Sequence, residues 1–133
     1  MKNTTPPKLL LPEVGHRVYV YYNLHKHVWS VRALQGPNKG RVVLHTNTLT
    51  LDRCEMRVSE ASRQRVLREK SKNVHAGIVG ILMSSPAGRS PSDIHITYNP
   101  YLYATFVRAA SKEPIFSASR VFFEQYKVWA ACN

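Results

Sequence analysis

Between Arg63 and Lys72 the chain carries five cations (Arg63, Arg65, Arg68, Lys70 and Lys72) and one acid, Glu69. Cations at this density repel one another until an anion meets them, and phosphate oxygens are the acceptors that guanidinium and ammonium groups bind best. A second set of residues could do proton chemistry. His45, His75 and His95 each fall within or beside an apolar-patterned segment. Imidazole gives and takes protons near neutral pH. Two histidines and a lysine could therefore cleave RNA by general acid–base catalysis without a metal. The alternative for each histidine is a structural one, a ring nitrogen donating to a carbonyl.

Global charge agrees with the first chemistry. The 133 residues carry a formal charge of +11, with a pI near 10.1. Such an excess attracts polyanions and gains counterion release on binding them. DNA or RNA is the expected partner. Arg53 and Arg57 alternate outward on the segment before the cationic run, and Arg32, Lys39 and Arg41 surround a turn, so both groups could add phosphate contacts. Tyr19 and Tyr21 alternate with Arg17. They could stack on unpaired bases or pack a second core face. The opposing reading of the cationic run is a solvated face paired locally with Glu60 or Glu69.

Other chemistries are poorly supported. There is no HExxH, paired CxxC, EF-hand, Walker or dinucleotide-binding pattern, so neither metal nor cofactor is expected. His25 and His27 share a turn but lack a third ligand. The eight acids are too scattered to assemble a two-metal site. Gly77 and Gly80 lie in an apolar run, where glycine permits close packing or a bulge. No apolar run approaches membrane-spanning length, and no helix has the broad apolar face needed to lie on a membrane. Two thiols, Cys54 and Cys132, and no signal peptide fit a reducing cytoplasm.

The elements that position these residues follow from periodicity. Residues 17–22, 28–34 and 41–51 read as an antiparallel meander. Residues 53–58 alternate, with Cys54, Met56 and Val58 inward. Ser59 can cap a helix that follows. On it, Arg65, Arg68 and Lys72 cluster on one side, while Arg63 and Lys70 flank a narrow stripe of Val66 and Leu67. Residues 74–83 are apolar at both parities, as in a strand buried on two faces. A Ser/Pro/Gly loop at 84–93 precedes a strand at 94–98 and two segments, 101–109 and 120–130, that could be helical but whose aromatic and β-branched content favours strand. The expected class is α+β, a mostly antiparallel sheet of six to eight strands with one main basic helix. An extended N-terminal arm, 1–16, precedes a single domain, 17–133.

Three resemblances add to this. A three-stranded meander followed by a helix, over residues 17–72, is similar in element order to the DNA-binding modules of plant AP2-type factors and phage integrase arm domains. Their likeness implies a sheet that enters the major groove, although residues 53–58 interpose an extra strand. His95-Ile96-Thr97 resembles the HxT unit of two-histidine phosphoesterases, for which only His45 with Thr46 or Thr48 offers a partner. VYVYYNLHKHVWSVRAL, VSEASRQRVLREKSKNVHAG and ITYNPYLYATFV resemble stretches of small phage and prophage proteins, which implies a mobile-element origin and no activity. The expected function is thus a small basic nucleic-acid-binding protein. The alternatives are a metal-independent histidine nuclease or phosphoesterase, and a phage-type protein that docks on an acidic host factor.

Overall fold

Nine strands and one helix make up the computed structural model, which describes residues 14–70, 73–84 and 90–131. In chain order they are β1 (Arg17–Asn23), β2 (Val28–Ala33), β3 (Val42–Thr46), β4 (Thr48–Val58), α1 (Glu60–Glu69), β5 (Ala76–Leu82), β6 (Ile94–Thr97), β7 (Val107–Arg108), β8 (Ser117–Glu124) and β9 (Lys127–Ala131). All nine strands join one sheet in the order β3-β2-β1-β5-β4-β8-β9-β6-β7, and every pairing is antiparallel. The class is α+β, as expected, but nine strands replace the expected six to eight. Two segments read as single strands are each broken. Residues 41–51 turn a corner at Asn47, where Thr46 Oγ1 donates to Thr48 O at 2.9 Å. Residues 120–130 fold back as the β8–β9 hairpin, with Gln125 at φ 49°. Conversely, most of 101–109 is turn, and only Val107–Arg108 forms a strand. Of the expected arm, residues 1–13 lie outside the described residues. Gly15 and His16 run beside β5, with Gly15 N donating to Leu82 O at 2.8 Å.

The sheet cannot be flat. β3 and β4 are four places apart in it, roughly 19 Å at ~4.8 Å per strand. Yet one residue, Asn47, joins Thr46 to Thr48, and such a link reaches about 7 Å at most. The sheet must roll until β3 meets β4. Trp29 on β2 and Phe123 on β8, also four places apart, accordingly bring their ring centroids to 4.9 Å. The inner face holds Val18, Val20, Val31, Leu51, Ile78, Ile96, Val121 and Phe123, all essentially buried. β5 is buried on both faces, as its dual-parity pattern requires, because Tyr19 covers its outer side.

Two glycines make the close strand approaches possible. β4 carries a bulge between Asp52 and Glu55, with Arg53 at φ 54°. A bulge bends its strand and increases the local twist. The extra residue crowds Gly80, where a Cβ would stand 2.9 Å from Leu51 Cβ and 3.0 Å from Asp52 O. At Gly77 a Cβ would come within 2.6 Å of the Val20 carbonyl oxygen as well as colliding with the Tyr19 ring. The ring can swing away but the backbone cannot. Gly77→Ala should therefore destabilise the fold by about 1–3 kcal/mol, read as a lower urea midpoint. An unchanged midpoint would show slack in the β1–β5 pairing.

Candidate binding cavity and cationic helix

Helix α1 forms because Ser59 supplies an N-cap oxygen to Ser62 N at 3.4 Å, Glu60 sits in the first turn and Arg68 in the last. It ends when Lys70 turns left-handed at φ 54° and its N–H bonds Val66 O. Lys72, expected on the same face as Arg65 and Arg68, lies outside the described residues. Only Val66 of the helix is buried. A second anchor is Arg63, whose Nε donates to Pro100 O at 3.0 Å and whose Nη1 meets Glu60 Oε2 at 3.2 Å. Arg63, expected to flank the apolar stripe, is thus held by its head, with its side chain largely covered.

The expected phosphate contacts separate into groups. Arg65 and Arg68 are exposed, as is Lys70, and none has a carboxylate within ion-pair distance among the described residues. Arg57, at the end of β4, is engaged by Glu55 at 2.7 Å. Arg53, on the bulge, is 3.9 Å from Asp52. Arg32 lies on the outer face, 5.8 and 5.7 Å from the Tyr19 and Tyr21 ring centres. Those two tyrosines are half-buried, so they line a packed outer layer rather than stand free. Lys39 and Arg41 are exposed on the β2–β3 turn, at the opposite end of β2 from the Asn23–Val28 turn.

The histidines take three different partners. His45 Nδ1 bonds the buried Ser30 hydroxyl at 2.9 Å. His95 alternates with buried Ile96, and its ring lies 5.0 Å from Trp129, its neighbour across β9. Burial first, then the Lys127 charge, holds its pKa below the usual histidine value. His75 is bonded on both ring nitrogens: Nδ1 lies 3.1 Å from Asn73 O and Nε2 lies 2.7 Å from Tyr98 Oη. A carbonyl only accepts, so Nδ1 donates to Asn73 O, while Nε2 and the Tyr98 hydroxyl share the second hydrogen bond. Burial pushes the Tyr98 phenol up to about 12. Among the described residues no three His, Cys, Asp or Glu side chains gather as a metal site. Cys54 is buried, donating to Leu51 O, and Cys132 lies outside the described residues.

The His75–Tyr98 pair stands beside a feature that the periodicity did not reveal. One end of the rolled sheet opens as a cavity of about 750 Å³. Trp29, Tyr98, Phe106 and Phe123 contribute aromatic wall, and Val66 and Lys70 of the helix close one side. Its segments are distant in sequence: the β1–β2 turn, the start of β5, the loop after β6 and the β8–β9 turn. Four of the seven large exposed hydrophobics among the described residues border it: Leu24 (48% exposed), Val74 (47%), Tyr101 (57%) and Tyr126 (71%). Two cavity-bordering residues also hold buried polar atoms without partners among the described residues, Trp29 Nε1 and Asn73 Oδ1. The one available sequence signal was Tyr98-Asn99-Pro100-Tyr101, aromatic residues on a strand-breaking turn.

The fold and this site together define a basic α+β protein in which a cationic helix borders an aromatic cavity. The chain belongs to the Mycobacterium phage L5 gene 82 protein family, whose model matches residues 12–131. It is 42% identical to the Gene 82 protein of Mycobacterium phage L5 over 124 residues, which cover 86% of this chain and 95% of that relative. The phage resemblance noted from the three sequence stretches is thereby placed on a particular family. No solved structure matches. The order that resembled AP2-type and integrase arm modules is interrupted here: β4 intervenes between the meander and the helix, and β5 lies between β1 and β4 in the sheet. No helix among the described residues is long and apolar enough to cross a membrane.

Tyr98→Phe tests the His75 pair. Removing the hydroxyl should destabilise the protein by about 1 kcal/mol at neutral pH. It should also flatten the alkaline limb. Tyrosine releases its proton near 10 when unfolded but only at about 12 in the fold. The folded state therefore holds the extra proton, so stability falls as pH rises through that window. Thermal melts across alkaline pH measure both effects.

Proposed function

We propose that this protein binds nucleic acid, with Arg65 and Arg68 on α1 and Lys70 at its end contacting phosphates. The observation that supports this reading is the exposure of those three cations with no carboxylate partner among the described residues, in a chain of net charge +11. The other ion pairs of this region sharpen the choice. Glu55 engages Arg57 and Glu60 engages Arg63, so the nearby acids leave the outer side of the helix positive. Arg53 and Arg57 would contribute only by exchanging a carboxylate for a phosphate. Lys39, Arg41 and Arg32 lie apart from the helix and form at best a secondary contact.

Binding is preferred to hydrolysis although His75 and His95 both line the cavity, because both ring nitrogens of His75 are already bonded and His45 lies outside that lining. A two-imidazole acid–base mechanism needs two rings about one phosphate. Docking on an acidic host protein would use the same cations. It is set aside because the aromatic cavity beside them suits stacking bases.

A gel-shift or anisotropy titration tests the reading. Affinity should fall roughly tenfold or more for a fourfold rise in salt if about three phosphates are engaged. Arg65→Glu with Arg68→Glu should abolish retention at low salt. The thermal melt should barely move, since exposed substitutions usually change stability by about 0.5 kcal/mol or less. Retention that survives the double reversal would assign binding to another surface.

A further inference from the structure

We infer that the cavity beside α1 receives an unpaired base of a single-stranded nucleic acid, while Lys70 and the helix arginines hold its backbone. This rests on the nucleic-acid reading above and adds to it the part of the ligand that enters the fold. Three observations converge. The cavity, at about 750 Å³, has room for a nucleotide and is walled in part by rings, including Trp29, Tyr98 and Phe106. Exposed large hydrophobics concentrate at its border, where Tyr101 and Tyr126 are over half exposed. Apolar surface left in water in one place marks a binding site, and aromatic faces accept bases of any identity by stacking. Finally, Lys70 both borders the cavity and ends the cationic helix.

These features distinguish a base from other occupants. The wall mixes rings with aliphatic side chains such as Val66 and Ile78, and the rings offer faces on which a base can stack. The neighbouring cations require that the ligand carry negative charge outside the cavity. A base on a phosphodiester strand meets both demands. In a duplex the base is stacked and paired, so the same contact would require flipping it out at an energetic penalty.

The test compares three fluorescein-labelled probes of equal length on the intact protein: oligo-dT, the same strand with abasic sites throughout, and a duplex. The expected result is binding of all three, with oligo-dT at least about tenfold tighter than the abasic strand and tighter than the duplex. Tyr101→Ala with Tyr126→Ala, both exposed positions, should bring oligo-dT to the affinity of the abasic strand and leave the abasic strand unchanged. Equal affinity for oligo-dT and the abasic strand in the unsubstituted protein overturns the cavity inference while the phosphate reading stands. Binding to none of the probes overturns both. A fluorescence melt of the double variant separates loss of contact from loss of fold; if that variant melts early, Tyr126→Ser alone takes its place.

Discussion

The link at Asn47 governs this structure. A single residue between β3 and β4 forbids a flat sheet, because the two strands are four places apart in it. Once the sheet rolls, inner faces that would be remote neighbours become opposite walls. Trp29 then packs edge-on against both Tyr22 and Phe123. The corner is tied down twice, by the Thr46 hydroxyl on Thr48 and by Gln125 N donating to Asn47 O at 2.7 Å. The second bond joins the β8–β9 turn to the corner. The same hairpin thus braces the roll and contributes Tyr126 to the border of the cavity.

Rolling also explains how so slight a helix can hold a position. A ten-residue helix is marginal in water by itself, and α1 buries only Val66. It is fixed instead by its flanks. β4 delivers its first turn and β5 receives the chain soon after its last, and these two strands are paired side by side. Arg63 adds a bond to Pro100 O across the chain. Nothing in this arrangement uses Arg65 or Arg68, which is why they remain free to face solvent among the described residues.

Local structure was readable where a single rule governed it. Ser59 caps the helix because its hydroxyl reaches a backbone N–H, and the inward Cys54, Met56 and alternate Arg53, Glu55 and Arg57 follow the pleat. The double burial of β5 followed from its apolar content at both parities. Strand number was misjudged where a break lacked a familiar turn residue. Gln125 adopts φ 49° in a hairpin without glycine, and Asn47 turns a corner inside a β-branched run. The cavity was not legible for a different reason. Its walls come from segments as distant as Trp29 and Phe123, and their proximity is a property of the roll rather than of any local pattern. The helix end was hidden too: residues 69–72 continue the helical spacing of charge, and only the left-handed Lys70 shows that the helix stops at Glu69.

The chemistry around the mouth of the cavity is hydrogen-bonded where it is internal and cationic where it is exposed. His75 is held between Asn73 O and the Tyr98 hydroxyl, and burial pushes that phenol's pKa up. Arg63, a cation drawn inward, is balanced by Glu60 and a carbonyl. The field at the mouth is therefore set by Lys70 and the helix beyond it, not by the wall. Such a division lets apolar surface and positive charge lie side by side without either desolvating the other. On the proposed reading, affinity from phosphate and affinity from ring stacking would be contributed by different residues. Substitutions on the helix and on the aromatic border should consequently act almost additively, a property that a mixed cluster of buried ions and rings would not have.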